Sequence, residues 1–266
     1  MKSNNNSFAA SCFSYGADIC GILDIHSHVL PNMDDGATDV SVSLAMLSEA
    51  WSQGVRKMAA TPHFYADRET PESFLERRAQ AVAELIRGGY HPGTEHPLLY
   101  LGAEVAFFSG MTRSRQLSEF CIGGTRNILI EMPFERWSES VISEILDLTA
   151  ATGLRPIIAH IERYWSYQRA STLGRLIEGG AIIQSNAEFF TEKKTSKKAM
   201  KLLRQGGIHI LGTDAHGIAE RTPNMGAGAD VILQGKFGAE MLDEIAECSR
   251  FILKGATPIA LPETVS

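Results

Sequence analysis

From residue 21 onward the chain alternates short runs of branched apolar residues with longer amphipathic stretches. The apolar runs at 22–25, 55–60, 98–101, 128–130, 156–159, 181–184 and 208–211 predict strands. They are continuous rather than alternating, as strands buried on both faces are. The stretches between them predict helices. Val40, Leu44, Leu47 and Trp51 mark one face of the first, with Thr38 or Asp39 as its N-cap. Phe74, Arg78, Val82 and Leu85 mark a second, its charged residues snorkelling or facing water. Val141, Ile145 and Leu148 mark a third. Leu173, Leu176 and Ile177 mark a fourth, which ends at Gly179-Gly180. Strand-then-helix order implies right-handed crossovers and a parallel sheet. About seven such units close more naturally into a barrel than lie open, an open doubly wound sheet being the alternative.

The length of 266 residues suits one such barrel, which needs roughly 250. Residues 1–20 are polar and aperiodic and read as an extension, so 21–266 form one domain. The start, MKSNNNSFAASCFSYGADICG, has no apolar core of a signal peptide, which predicts a cytoplasmic protein. No apolar run approaches the roughly 20 residues that span a bilayer, so no membrane insertion is expected. The net charge of −6 argues against nucleic acid as the main partner. Cys12, Cys20, Cys121 and Cys248 lack CxxC spacing and read as free thiols.

The chemistry follows the strands. His26 and His28 follow the first, in DIHSH, and His63 the second. Glu104 follows the third, Glu131 the fourth and His160 the fifth. Asn186 follows the sixth, and Asp214 and His216 the seventh, in GTDAH. A barrel gathers these strand ends on one face. Alternation places the rings of a His-x-His pair on the same side. Five of the eight histidines fall at such ends, and imidazole with carboxylate suits Zn, Mn or Fe. Glu104 and Glu131 directly follow apolar runs, where unpaired charge is costly. Asp34-Asp35-Gly36 is either a turn or a further ligand. His91, His96 and His209 read as non-functional. Arg163 and Arg221 stand near the ligands, and their planar forks suit phosphate oxygens.

Together the segments DIHSHVLPNMDDGA, SEAWSQGVRKMAATPHF, LGAEV, LIEMP, PIIAHIERY and GTDAHGIAERTP resemble the PHP (polymerase and histidinol phosphatase) superfamily. The resemblance is greatest to its bacterial metal-dependent protein tyrosine phosphatases of the capsular polysaccharide type. It runs from about Leu23 to the end, loosens between Pro71 and His96, and leaves out the N-terminal extension. It implies a distorted (β/α)7 barrel holding three divalent ions, with Mn2+ expected and Fe or Zn possible ions. By motif position His26, His28, Glu104 and Asp214 hold the first. Glu104, Glu131 and His160 hold the second, and Asp35, His63 and His216 the third. Histidinol phosphatases carry histidines where this chain has Asp35 and Glu131, which favours the tyrosine phosphatase branch. The implied partner is a phosphotyrosine protein, such as an autophosphorylating bacterial tyrosine kinase of exopolysaccharide synthesis. A homo-oligomer is compatible.

The reaction expected is attack by a metal-activated hydroxide, with Arg163 and Arg221 clamping the other phosphate oxygens. No general acid is evident. Phe64, Tyr65, Phe107 and Phe108 follow His63 and Glu104 and are expected at the mouth, against a substrate ring. No cysteine begins a C-x5-R motif, and no G-x-S-x-G, H-E-x-x-H or P-loop occurs. The alternatives are a small-molecule phosphomonoesterase such as a histidinol phosphatase, an amidohydrolase-type enzyme and a non-catalytic subunit. No predicted strand end offers the bridging lysine of the amidohydrolases, and no ligand is missing as in a non-catalytic relic.

Overall fold

The computed structural model describes residues 22–261. The expectations for residues 1–20, including Cys12 and Cys20, lie outside the described residues. The architecture is α/β, with every strand pairing parallel. Strands β1 (Leu23–Asp24), β2 (Lys57–Ala60) and β4 (Leu98–Leu101) form one sheet in the order β1-β2-β4. The other strands are β3 (His63–Phe64), β5 (Glu104–Ala106), β6 (Asn127–Glu131), β7 (Arg155–Ile158), β8 (Ile182–Asn186) and β9 (Ile210–Gly212). They form a second sheet in the order β3-β5-β6-β7-β8-β9.

Short breaks separate the two sheets. Chain leaves β2 through Thr61-Pro62 into β3, and leaves β4 through Gly102-Ala103 into β5. Pro62 has no N–H to give a ladder. Hydrogen bonds from Gly102 N to Ala60 O and from Glu104 N to Pro62 O carry the pairing across. At the far edge Ile25 N donates to Leu211 O and Asp214 N to His26 O. The parallel sheet thus curls until β9 lies against β1. The open doubly wound alternative does not have this contact.

Helix α1 (Val40–Ser52) starts at Asp39, whose Oδ1 accepts from Ser41 N and Val42 N, so the cap is Asp39 and not Thr38. Helix α2 (Pro71–Arg87) is capped by Thr70, with proline at its first position. It buries Phe74 and Leu85. Arg78 on this helix is half-buried over the Phe74 ring rather than simply solvated. Its guanidinium donates to the carbonyls of Gly102 and Glu119. Helix α3 (Glu139–Thr152) buries Ile142, Ile145 and Leu148. Helix α4 (Ala170–Glu178) stops at Gly179, where predicted.

Two features were not anticipated. Between β5 and β6 there is no α-helix but three single 3-10 turns, Met111–Arg113, Leu117–Phe120 and Ile122–Gly124. Gly110, Gly123 and Gly124 take positive φ there and interrupt any longer helix. The C-terminal third also adds α5 (Glu188–Thr191), α6 (Ser196–Arg204), α7 (Met225–Leu233) and α8 (Gly238–Ile252). Helix α7, sequence MGAGADVIL, is apolar on most sides, so no stripe marks it. Among the described residues no helix is long and apolar enough to cross a membrane.

Candidate metal centre

The site begins where β1 ends. Ser27 points away from it, its Oγ donating to Ala59 O on β2. Alternation then turns His26 and His28 to the same side, with their Nε2 atoms 3.1 Å apart. Two glycines make room. A Cβ on Gly212 would sit 2.6 Å from the His26 Cβ, and one on Gly36 would sit 2.3 Å from the His28 carbonyl oxygen. Gly36 lets the loop after β1 fold back onto His28.

That loop resolves the Asp34-Asp35 ambiguity. Asp34 Oδ2 lies 2.7 Å from His28 Nδ1 and accepts from His63 N at 2.8 Å. Asp34 therefore orients His28 and leaves its Nε2 free. Burial alone would raise the Asp34 pKa, but His28 and the backbone N–H groups hold it well below the usual carboxylate range. Asp35 turns outward, two-thirds exposed, with Oδ1 3.4 Å from His216 Nε2 and 3.7 Å from His63 Nε2.

Glu104 stands at the centre and is fully buried. Its Oε2 lies 3.1 Å from His26 Nε2, 3.4 Å from His28 Nε2 and 3.0 Å from His63 Nδ1. Its Oε1 lies 2.8 Å from His160 Nε2, and Glu131 lies 3.6 Å from the same nitrogen. Asp214 Oδ1 lies 3.4 Å from His28 Nε2 and 3.5 Å from His26 Nε2. Within each of three groups the donor atoms all fall within 4.8 Å of one another. The groups are His26, His28, Glu104 and Asp214; His28, Asp35, His63 and His216; and His63, Glu104 and Glu131. Eight of the nine predicted ligands fall in these groups, and the ninth, His160, falls in none but meets the cluster through Glu104 and Glu131. The grouping differs in detail, since His28 joins Asp35, and His63 joins Glu131.

Gln184 shows what this arrangement needs. His160 N donates to Gln184 Oε1 at 2.6 Å, which identifies that atom as the oxygen. His26 Nδ1, 3.3 Å away, must then carry the proton it shares with Oε1. His28 Nδ1 likewise donates to Asp34. In neutral rings the two Nε2 atoms facing each other at 3.1 Å are both lone pairs. Glu104 Oε2, His63 Nδ1 and His216 Nε2 are buried and make no hydrogen bond among the described residues. Bare acceptors this close require a cation between them. Without one, the imidazoles are drawn toward that role. Burial disfavours charge on His160, but hydrogen bonds to Glu104 and Glu131 push its pKa up to about 9. Burial likewise opposes charge on His28, and Asp34, Asp214 and Glu104 outweigh it. Burial and the neighbouring His28 push His216 down to about 4. Nitrogen and carboxylate donors of this kind fit divalent metal ions.

Of the support behind these residues, the sequence marked Asn186 as a strand-end polar residue but not its role, and it did not mark Gln184. Gln184 Nε2 donates to Asn186 Oδ1 at 2.9 Å, and Asn186 Nδ2 donates to Asp214 Oδ2 at 3.1 Å. Glu162 accepts from Asn186 N and Ser185 Oγ. The signal available was the pair of carboxamides at alternate positions of a buried strand, in QSN. Asp24 accepts from both N and Oγ1 of Thr213, tying β1 to β9. Its burial pushes the pKa up to about 6.

Arg163 and Arg221 both reach Asp214, Arg163 to Oδ2 at 2.5 Å and Arg221 to Oδ1 at 2.7 Å. Each keeps about a third of its side chain exposed. His160, Asp214 and Arg221 have positive φ (27°, 53° and 47°). Left-handed backbone is unfavourable for such residues and concentrates where function requires it. Three further histidines have structural partners. His96 Nδ1 accepts from His91 N, and His209 Nδ1 accepts from Ile183 N.

The aromatic expectation needs correction. Phe64 is not at the mouth. It is buried, stacked on Phe120 at 4.3 Å and edge-on to Phe74 at 5.4 Å, because β3 turns it into the core. Phe107 and Phe108 pack against the core. Tyr65 does lie at the cluster, its ring 5.2 Å from that of His63. Phe134, which sequence reading passed over, is half-exposed and stacks on His160. Burial pushes the thiols of Cys121 and Cys248 up to about 12 and about 11.

Known proteins give the same picture. The tyrosine-protein phosphatase YwqE of Bacillus subtilis (strain 168) is 31% identical over 255 residues, covering 91% of this chain and 95% of the relative. The tyrosine-protein phosphatase CpsB of Streptococcus pneumoniae is 30% identical over 238 residues, covering 84% and 94%. A crystal structure described as belonging to YwqE and CpsB, "unique metal-dependent tyrosine phosphatases", superposes with a TM-score of 0.75 at 27% identity. That match covers 90% of this chain and all of the other. The family model for capsular polysaccharide synthesis, CpsB/CapC, matches residues 22–250, which span the curled sheet and all nine predicted ligands. On that match, the chain belongs to the CpsB/CapC family of capsular polysaccharide synthesis.

Proposed function

We propose that the protein is a metal-dependent protein tyrosine phosphatase. One observation carries the reading: two arginines meet Asp214 at the edge of a cluster of imidazoles and carboxylates whose lone pairs face one another. The names of YwqE and CpsB support it.

The three-ion reading assigns His26, His28, Glu104 and Asp214 to the first ion. Glu104, Glu131 and His160 take the second, and Asp35, His63 and His216 the third. The groupings support the first and third sets and the pairing of Glu104 with Glu131, and His160 would join them through its contact with Glu104. Mn2+ is the ion we expect. Bound divalent ions supply a low-pKa water and neutralise phosphate charge. The chain's own residues do the rest. Arg163 and Arg221 hold non-attacked phosphate oxygens from opposite sides of Asp214, each as a planar fork. Asp34 and Gln184 keep His28 and His26 in the tautomer that exposes Nε2. A tyrosyl leaving group, with a pKa of about 10, departs with modest proton help.

We read β2 with β3, and β4 with β5, as single bent strands, which makes the sheet a distorted seven-unit barrel. Residues 21–266 then form one catalytic domain after an N-terminal extension. The substrate is a phosphotyrosine protein, in our reading a bacterial tyrosine autokinase of exopolysaccharide synthesis, met in the cytoplasm. The test compares a phosphotyrosine peptide with free phosphotyrosine, a phosphoserine peptide and histidinol phosphate, each with added Mn2+. The phosphotyrosine peptide should have the highest kcat/KM. Faster hydrolysis of histidinol phosphate would transfer the protein to the small-molecule phosphomonoesterases.

A further inference from the structure

Phe134 lies on the loop that leaves β6, three residues after Glu131. Half of it is exposed, at 49%. An exposed phenylalanine is commonplace on a protein surface, but this one is held in place. Its ring lies nearly parallel to that of His160, 17° apart in plane and 6.1 Å between centroids. Tyr164 braces it at 5.4 Å. Tyr164 is itself fixed, since its hydroxyl accepts from Met132 N and its ring meets Trp137 edge-on. Pro133 restricts the backbone immediately before Phe134. The result is an aromatic surface braced by His160 and Tyr164, with about half of it open to solvent.

A second ring answers it across Glu104. The two oxygens of Glu104 reach in different directions, Oε1 to His160 and Oε2 to His63. Phe134 covers the His160 side. Tyr65 lies 5.2 Å from His63, with the Arg68 guanidinium 4.1 Å over its ring. The centre of the cluster is therefore flanked by an aromatic residue at each end.

We infer that Phe134 is the aryl-recognition residue, its open face stacking on the ring of the phosphorylated tyrosine while Tyr65 forms the opposing wall. This rests on the phosphatase reading above. A phosphoryl group over Glu104 sends its ester oxygen outward between these rings. An aryl ester fills that gap with a flat apolar group, and offset stacking is the geometry aromatic pairs prefer. A seryl ester places only a methylene and peptide backbone there. Preference for phosphotyrosine then comes from the walls of the slot as well as from the better leaving group.

The experiment uses Mn2+-loaded full-length protein, wild type, Phe134→Ala, Phe134→Leu and Phe134→Trp. Each is assayed on a phosphotyrosine peptide and on the same peptide with phosphoserine. Comparing variants on one pair of substrates cancels the intrinsic leaving-group difference. In the Ala and Leu variants the ratio of kcat/KM between the two peptides should fall about tenfold, through KM for phosphotyrosine, with metal content unchanged. Phe134→Trp, which keeps a flat ring, should restore most of the ratio. An unchanged ratio in both Ala and Leu variants, with wild type still preferring phosphotyrosine, overturns this inference alone. Wild-type protein that does not hydrolyse the phosphotyrosine peptide overturns it together with the phosphatase reading. Loss of bound metal in all three variants assigns Phe134 to supporting His160 and overturns it as well.

Discussion

The carboxamide oxygen of Gln184 lies 3.3 Å from Nδ1 of His26, and both residues are fully buried. The same oxygen accepts from His160 N, and the amide nitrogen reaches Asn186, which in turn holds Asp214. One side chain on β8 thus steadies predicted ligands that come from β1, β7 and β9. Partners of this kind fix the tautomer and orientation of a metal-binding imidazole.

Gln184→Leu keeps similar bulk and removes all three hydrogen bonds. We expect metal affinity to fall about 10- to 100-fold, with kcat recovering in part at high metal concentration. Metal titration by calorimetry checks it. Unchanged affinity would mean that packing alone orients His26.

Arg163 donates to Asp214 through a single nitrogen at 2.5 Å. Its remaining donors are available for phosphate. Arg163→Lys keeps the charge and loses the fork, so turnover should drop at least about tenfold, or about 1.4 kcal/mol. Fold and metal content should stay as they are, by circular dichroism and elemental analysis. Wild-type kinetics in this variant would return Arg163 to an ordinary surface role.

Removing metal leaves the facing lone pairs of His26, His28 and Glu104 without a cation. Strong chelation should abolish activity and lower Tm, because ions that bind only the folded chain stabilise it by mass action. A divalent transition metal should restore both. Full activity in protein shown by elemental analysis to be metal-free would falsify the metal-dependent reading.

In the metal-free protein His160 titrates at about 9, raised by Glu104 and Glu131 against the effect of burial. A histidine with a raised pKa stabilises the fold fully below its unfolded value of about 6.5. That contribution is lost as pH rises through 9. Metal-free protein should therefore lose stability between pH 6.5 and 9, by at most about 3 kcal/mol. His160→Gln should flatten this slope in denaturant melts. An equally steep slope in that variant assigns the effect to other groups.

The thiols should be bystanders. Burial raises Cys121 and Cys248 to about 12 and 11, far from the range of a reactive thiolate. Treating the folded, metal-loaded protein with iodoacetamide near pH 8 should leave activity nearly intact. Complete inactivation with metal still bound would place a thiol in the chemistry.

Much of this protein is determined by its sequence alone. The runs at 128–130 and 156–159 must be buried strands because they are apolar on both faces. The period of two places His26 and His28 on one side of their strand whatever the rest of the chain does. Parallel strands joined by helices put His63, Glu104, Glu131, His160 and Asp214 at one end, so their gathering follows from the strand pattern. Local rules end there. Asp34 and Asp35 are adjacent and chemically identical, and only the fold-back of the loop at Gly36 sends one under His28 and leaves the other exposed. Phe64 and Phe134 each follow a ligand by one and three residues. The pleat turns the first into the core against Phe120, while the loop after β6 leaves the second half in solvent over His160. Asn186 reads only as one more polar residue at a strand end, and Gln184 as the end of a buried run, until β7, β9 and β1 close around them. Hydrogen bonds and ring contacts between residues 24 to 189 positions apart have no trace in local periodicity. They arise only when the sheet curls, and so tertiary structure alone decided which polar groups face into the cluster and which brace it from behind.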